Sequence, residues 1–302
     1  MSNSTEEQLD LQISIAVTSH QKVVNVASVP KRSPFRYPGG KTWLIPYLRQ
    51  WLNSLQTKPT LFLEPFAGGG IVSLTVAFEN LAEFITMVEL DQLVSSVWRT
   101  ILGDEAEWLA IQIEAFELTA ANVDFVLANS NPTARELAFQ TILKNRVNRG
   151  GILAPGAGRL KEGESGKGLR SRWYPETLAQ RIRDIGRVRT RIAFIEGDGL
   201  SVMRTNAHRQ DMVVFIDPPY TASSKRAGSR LYNHSELDHN ELFRITDTLK
   251  GDFLMTYDNA REVRHLATSY GFDTKPVAMK NTHHAKMSEL LIGRNLDWLQ
   301  NP

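Results

Sequence analysis

Residues 59–70 read PTLFLEPFAGGG, a short apolar run that stops at an acid, a proline and three glycines, and IVSLTVAFEN follows with helix-compatible spacing. An apolar run of this length closed by turn residues reads as a buried strand, and the glycines let the chain reverse tightly into the next helix. FITMVEL and DQLVSSVWRTIL repeat the pattern, with Asp91 placed as a helix N-cap. Strand, turn, helix, strand is the βαβ unit, which commits the chain to a parallel sheet covered by helices. RIAFIEGD and MVVFIDPPY add two buried strands, and GDFLMTYDN adds another after a helix expected over about 235–250. A helix at 260–269 and a terminal strand pair around 275–279 and 288–294 complete the sheet. The spacing therefore predicts an α/β fold with a mostly parallel sheet.

Between the second and third of these strands the rhythm changes. Residues 104–148 carry helical apolar faces, and then NRGGILAPGAGRLKEGESGKGLRSRWYP is rich in Gly, Ser, Pro and basic residues, an irregular stretch of a kind that in compact domains is usually functional or disordered. From Lys144 to Arg191 there are thirteen lysines and arginines against four acidic residues, so the modest net charge of +2 hides a concentrated basic block. Standing alone, such a block is as often a solvated surface as a phosphate-binding face. No apolar run approaches the roughly 20 residues needed to cross a bilayer, and the start, MSNSTEEQLDLQ, lacks the features of a signal peptide. A cytoplasmic protein without membrane partners is expected. The chain has no cysteine, which excludes disulfides, thiolate metal sites and every mechanism using a cysteine nucleophile. No metal is expected.

In an open α/β sheet, ligands collect at the carboxyl ends of the strands. Three strand ends carry candidate chemistry. The first is Glu64 to Gly70, where glycines admit close approach of a ligand to the backbone. The second is Glu89, placed to accept hydrogen bonds from ribose hydroxyls. Together they suggest a nucleoside cofactor. A dinucleotide fingerprint would need glycine at position 73, where Ser73 stands. Upstream, Gly40-Lys41-Thr42 imitates the end of a phosphate-binding loop, but Phe35 occupies the position of its first glycine and no buried strand precedes it, so a nucleoside triphosphatase is rejected.

The third strand end is Phe215-Ile216-Asp217-Pro218-Pro219-Tyr220. Prolines stiffen the turn and remove backbone donors, which leaves the Asp217 carboxylate and the Pro218 carbonyl as two aimed acceptors beside the Tyr220 ring. An exocyclic amino group has two N–H donors; holding both favours a pyramidal nitrogen whose lone pair can attack a methyl group directly, without a covalent enzyme intermediate. An aromatic ring offers stacking to a base flipped out of its duplex. These residues fit an amino group on a planar base and leave adenine and cytosine open.

Taken in order, RYPGGKTWL, EPFAGGG, VELD, FIDPPYT and SELLIGRN resemble the class α N6-adenine DNA methyltransferases, the DNA adenine methylase family, over about residues 33–295. The resemblance implies a Rossmann-like S-adenosylmethionine-dependent methyltransferase fold with an inserted, mainly helical target recognition domain. It implies an N-terminal arm over 1–31, a cofactor-binding part of the catalytic domain over 32–103, the insertion over 104–190 and the part bearing the catalytic motif over 191–302. S-adenosyl-L-methionine would be the cofactor, with Tyr37, Gly39, Lys41, Glu64, Phe66, Gly68, Glu89 and Asp198 around it. Asp217, Pro218, Pro219 and Tyr220 would be catalytic. Double-stranded DNA would be the partner, contacted by Asn145, Arg146, Arg149, Arg159, Lys161, Arg170 and Arg172 in the basic block and by Lys225, Arg226 and Arg230 after the catalytic motif. A cognate restriction endonuclease is a candidate partner. Alternatives are a cytosine-N4 methyltransferase and an inactive DNA-binding protein of the same fold. Two departures from the family pattern are Glu64, where Asp is frequent, and Gly199, where an aromatic residue is frequent.

Overall fold

The computed structural model describes residues 28–36, 40–161, 166–219, 237–280 and 286–299. The apolar runs form seven strands in one sheet: β1 (Leu61–Glu64), β2 (Phe84–Glu89), β3 (Ile192–Glu196), β4 (Met212–Ile216), β5 (Phe253–Asp258), β6 (Asp273–Lys280) and β7 (Lys286–Gly293). Their order is β3-β2-β1-β4-β5-β7-β6. The pairs β3–β2, β2–β1, β1–β4 and β4–β5 are parallel, while β7 runs antiparallel to both β5 and β6. The expectation of a mostly parallel α/β sheet holds, including the terminal strand pair.

The order places function before any side chain is considered. From β1 the chain moves outward to β2 and β3, then returns past β1 to lay down β4 and β5 on the other side. The reversal leaves a crevice beyond the carboxyl ends of β1 and β4, the topological switch point where open α/β sheets bind ligands. Glu64 is the last residue of β1 and Asp217 follows the last residue of β4.

Helices cover both faces. In chain order they are α1 (Ile45–Ser54), α2 (Ile71–Phe78), α3 (Gln92–Leu102), α4 (Ala106–Ala115), α5 (Ala120–Ala128), α6 (Ala134–Val147), α7 (Pro175–Gly186), α8 (Gly199–Asn206), α9 (His239–Thr248) and α10 (Arg261–Ser269). Their ends follow from local chemistry. Asp91 caps α3 by accepting from the Leu93 and Val94 amides, as its position predicts. Thr133 and Glu136 close a capping box on α6, and Pro175 opens α7 where a missing N–H costs nothing.

The segment 104–190 shares the main core. Ile113 of α4, Ile142 of α6 and Ile182 of α7 are buried in one cluster with Val97 and Trp98 of α3 and with Phe62 and Ile85 of the sheet. A small satellite of Leu118, Val123, Leu143 and Val147 holds α5 onto α6. The basic irregular stretch therefore leaves from helices that are themselves packed on the catalytic sheet.

This packing changes the standing of two residues expected to contact DNA. Asn145 and Arg146, on the last turn of α6, are buried. The Asn145 side chain accepts from the Arg36 amide at 2.8 Å and donates to the Arg36 carbonyl at 2.9 Å and the Gly151 carbonyl at 2.8 Å. Arg146 donates to the Pro34 carbonyl, and burial, with Arg181, Arg36 and Arg172 nearby, brings its pKa down to about 9. Arg181 of α7 reaches the Ser33 carbonyl at 3.1 Å. These side chains hold residues 33–36 against α6 and α7. Because Asn145 satisfies three backbone groups in the interior, Asn145→Ala should cost about 1–3 kcal/mol of stability, read as a lower midpoint in denaturant unfolding.

Candidate active site

The glycine turn after β1 is built around Trp98. The Gly68 carbonyl accepts from Trp98 Nε1 at 2.9 Å, and Gly70 enters α2 with φ of +64°. A side chain on Gly70 would meet the Trp98 ring at 2.6 Å. The Gly68 amide donates to Glu89 Oε2 at 2.8 Å, and the Asp91 amide donates to Glu89 Oε1 at 2.9 Å. Thus the turn and the end of β2 are joined through the carboxylate that the resemblance assigns to a ribose. Burial pushes Glu89 up to about 7.

Glu64 is more deeply enclosed. Its Oε2 accepts from the Ser73 amide at 3.0 Å and from the Ser73 hydroxyl. Ser73, the residue that breaks the dinucleotide fingerprint, is therefore the donor that holds Glu64 at the N-terminal turn of α2. Burial, against the pull of these bonds, raises Glu64 to about 8, with Asp217 and Glu89 adding repulsion.

Lys41 lies in a short 3-10 turn, Lys41–Leu44, and is only 4% exposed. Its Nζ is 3.1 Å from Asp217 Oδ1 and 3.4 Å from Glu289 Oε2. Burial works against its charge, but the two carboxylates outweigh it and hold the pKa above the ordinary lysine value. The same Asp217 Oδ1 accepts from the Thr256 hydroxyl at 2.8 Å. Asp217 is half-buried, Pro218 buried and Pro219 half-buried. Among the described residues no donor reaches the Pro218 carbonyl. Tyr37, Gly39, Tyr220, Lys225, Arg226 and Arg230 lie outside the described residues.

Lys41, Glu64 and Asp217 thus meet at the crevice between β1 and β4, with Gly68 and Glu89 on its β2 side. Phe66, partly buried, packs against the cluster that holds Leu63, Val88, Met203 and Val214. Asp198, expected near the adenine of the cofactor, follows the end of β3, is exposed and caps α8, accepting from the Leu200 and Ser201 amides at 3.2 and 3.0 Å and from the Ser201 hydroxyl at 2.6 Å. Gly199 explains its own departure from the family pattern. A side chain there would overlap the Pro65 carbonyl oxygen, so an aromatic residue has no room in this backbone arrangement. Of the basic-block candidates, Arg149, Lys161 and Arg170 are exposed, Arg159 pairs with Asp124 at 2.6 Å, and Arg172 is half-buried. Reasoning on motifs missed Ser73, Trp98, Thr256 and Glu289 as site residues. Glu289 stood in SELLIGRN and Thr256 in GDFLMTYDN, but strand periodicity shows only that such residues alternate across a sheet.

The sequence model of the D12 class N6 adenine-specific DNA methyltransferases matches residues 176–282. That segment, about a third of the chain, carries β3, β4, the Asp217 turn, β5 and β6. Over those residues the chain is similar to DNA methyltransferases that act on the N6 amino group of adenine. No curated protein sequence matches the chain. Among solved structures, the rRNA methyltransferase AviRa from Streptomyces viridochromogenes is 14% identical, with a TM-score of 0.36 over 85% of this chain and 86% of that one. TrmK of M. capricolum, solved with S-adenosylhomocysteine, is 8% identical, with a TM-score of 0.36 over 83% and 68%. A methyltransferase from Geobacter sulfurreducens is 14% identical, with a TM-score of 0.35 over 84% and 77%. These are distant likenesses, and the strand order remains the description of the fold. No helix among the described residues is long and apolar enough to cross a membrane.

Burial of Glu64 has a measurable consequence for stability. Its folded pKa of about 8 lies above the ordinary 4.5, so between those values the folded protein keeps a proton that the unfolded chain has released. Its contribution is therefore fully present below pH 4.5 and declines as pH rises through about 8. In Glu64→Gln the fall in melting temperature between acidic and mildly alkaline buffer should be smaller than in the wild type, with Glu89 supplying what remains.

Proposed function

We propose that Asp217 and Pro218 together bind the N6 amino group of an adenine flipped out of duplex DNA, and that the residues of the switch-point crevice hold the methyl donor beside it. The observation that carries this reading is the Asp217 turn itself. It sets a carboxylate fixed by Lys41 and Thr256 next to a carbonyl with no donor among the described residues, directly beyond β4. Two neighbouring acceptors suit a group with two N–H donors, and accepting from both draws electron density toward the nitrogen that attacks.

The crevice fits S-adenosylmethionine in its donor set. Gly68 to Gly70 bring bare backbone to the ligand side of α2, and each Glu89 oxygen, already accepting one amide, keeps lone-pair capacity for a hydroxyl. Gly68 and Phe66 would line the pocket, Glu89 would hold the ribose, and Asp198, whose Oδ1 accepts only the Leu200 amide, would have capacity for the amino group of the cofactor's adenine. The bound cofactor supplies an electrophilic methyl group on a sulfonium, which the adenine nitrogen takes in one displacement. Tyr220 would stack on the flipped base and offset part of the few kcal/mol lost on unstacking.

Among the expected contacts, Arg149, Lys161 and Arg170 are exposed and accessible for DNA, and they support reading the 148–172 stretch as the recognition surface. Arg159 would serve it as well if its pairing with Asp124 yields to phosphate. Each phosphate contact contributes counterion release, so Arg149→Ala and Lys161→Ala should each lower the slope of log affinity against log salt by about 1.

Expression in a host lacking adenine methylation, followed by sequencing with modified-base detection, should reveal N6-methyladenine in a defined sequence context; modified cytosine instead would overturn the adenine assignment. Protection of that site from a nuclease would identify the protein as the modification half of a restriction pair. Asp217→Ala should keep cofactor binding and lose methyl transfer by about 100-fold or more, measured with labelled cofactor on unmethylated genomic DNA.

A further inference from the structure

We propose that Glu289 is a positioning residue for methyl transfer, holding the Lys41 ammonium against Asp217 so that the catalytic carboxylate keeps one rotation. The inference rests on reading Asp217 as the acceptor of the adenine amino group. Three separate stretches of chain supply the assembly: Lys41 from the turn before α1, Asp217 from the end of β4, and Glu289 from β7. Lys41 Nζ spans the two carboxylates at 3.1 and 3.4 Å. Lys41 and Glu289 are both buried, with Glu289 8% exposed.

The sheet register explains how Glu289 comes to face this point. Glu289 pairs with Asp258, and Leu291 pairs with Thr256, across β5 and β7. Side chains directly opposite one another in an antiparallel pair share a face, as do residues two apart on a strand. Thr256, Asp258 and Glu289 therefore line one face, and Thr256 donates to the Asp217 oxygen that Lys41 also approaches. Two donors on one oxygen, from different elements, fix the carboxylate plane more firmly than either alone. Lys41 has a long flexible stem with a rotatable ammonium, so by itself it would not be a directional clamp. Glu289 fixes the second side of that ammonium.

The ammonium must stay charged for this to work. Asp217 and Glu289 face it directly; beyond them, Asp258 shares the face of Glu289 across the strand pair, and Glu64 and Tyr257, the latter bonded to His239 at 2.8 Å, act on Asp217. Removing the Glu289 charge leaves burial less opposed, which lowers the pH at which Lys41 becomes neutral. Loss of the clamp would then appear as an alkaline limb in kcat that has moved to lower pH.

The test compares the full-length wild type, Glu289→Gln and Glu289→Asp on unmethylated genomic DNA with labelled S-adenosylmethionine, from about pH 6 to about pH 10, a range in which the wild type stays on its plateau because Lys41 is held above the ordinary lysine value and its limb lies beyond the alkaline end. Cofactor binding and thermal unfolding are measured in parallel. Glu289→Gln should lose about 10- to 100-fold in kcat, with KM for DNA and cofactor within about twofold of the wild type, and its alkaline limb should move to lower pH. Glu289→Asp, which keeps the charge, should place the limb back at the wild-type pH with kcat between the two. Wild-type kcat in Glu289→Gln, or a lowered kcat without movement of the limb, overturns the proposal. If Glu289→Gln does not fold, Glu289→Asp decides: a lowered kcat with the wild-type limb supports the role, and an unchanged kcat overturns it. A wild-type protein that leaves adenine unmethylated fails the reading of Asp217 instead, and this is seen before any variant is compared.

Discussion

The rest of the site depends on one buried cation. Taking an ammonium out of water costs several kcal/mol unless partners replace its hydration, and Lys41 has Asp217 and Glu289 as those partners. The three groups come from the N-terminal turn, the end of a central strand and the strand that inserts antiparallel beside β5. Satisfying the cation therefore requires all three regions to be in place. It also sets the charge balance at the switch point, because the Asp217 carboxylate faces a cation on one side and the crowded carboxyl of Glu64 on another.

Around that cation the acids divide by environment. Glu64 and Glu89 are raised to about 8 and about 7 because burial disfavours their charge, although each accepts hydrogen bonds from neighbouring donors. They sit on the side of the crevice shaped by the glycine turn and Trp98. Asp217, by contrast, is half-buried and has the lysine. One crevice thus holds carboxyl groups of different character: those that brace the glycine turn, and the one paired with the buried lysine.

The basic block illustrates how a charge count can mislead about single residues. Its composition marks a region suited to phosphate, but the count does not distinguish an arginine that reaches solvent from one that supports backbone. Arg146 and Arg181 donate to carbonyls of residues 34 and 33, and Asn145 binds residue 36 on both its amide and its carbonyl. The helices that flank the irregular basic stretch are in this way tied to residues 33–36. Arg149, Lys161 and Arg170 remain on the outside.

The sequence by itself determined the strands, their helical connections and the chemistry at their ends, because period, turn residues and apolar runs are local properties. It located Asp217, Pro218, Glu64, Glu89 and Lys41, and the absence of cysteine excluded a thiol nucleophile. Only the tertiary structure decided which of these groups meet. Glu289 is 248 positions from Lys41 in the chain, and nothing local to either marks them as partners. Nor could spacing reveal that Ser73 serves Glu64, that Gly199 leaves room for the Pro65 carbonyl, or that Asn145 and Arg146 face inward. Burial and pairing depend on what the remaining elements bring to the same place, and that is fixed by how the sheet is ordered and how the helices pack upon it.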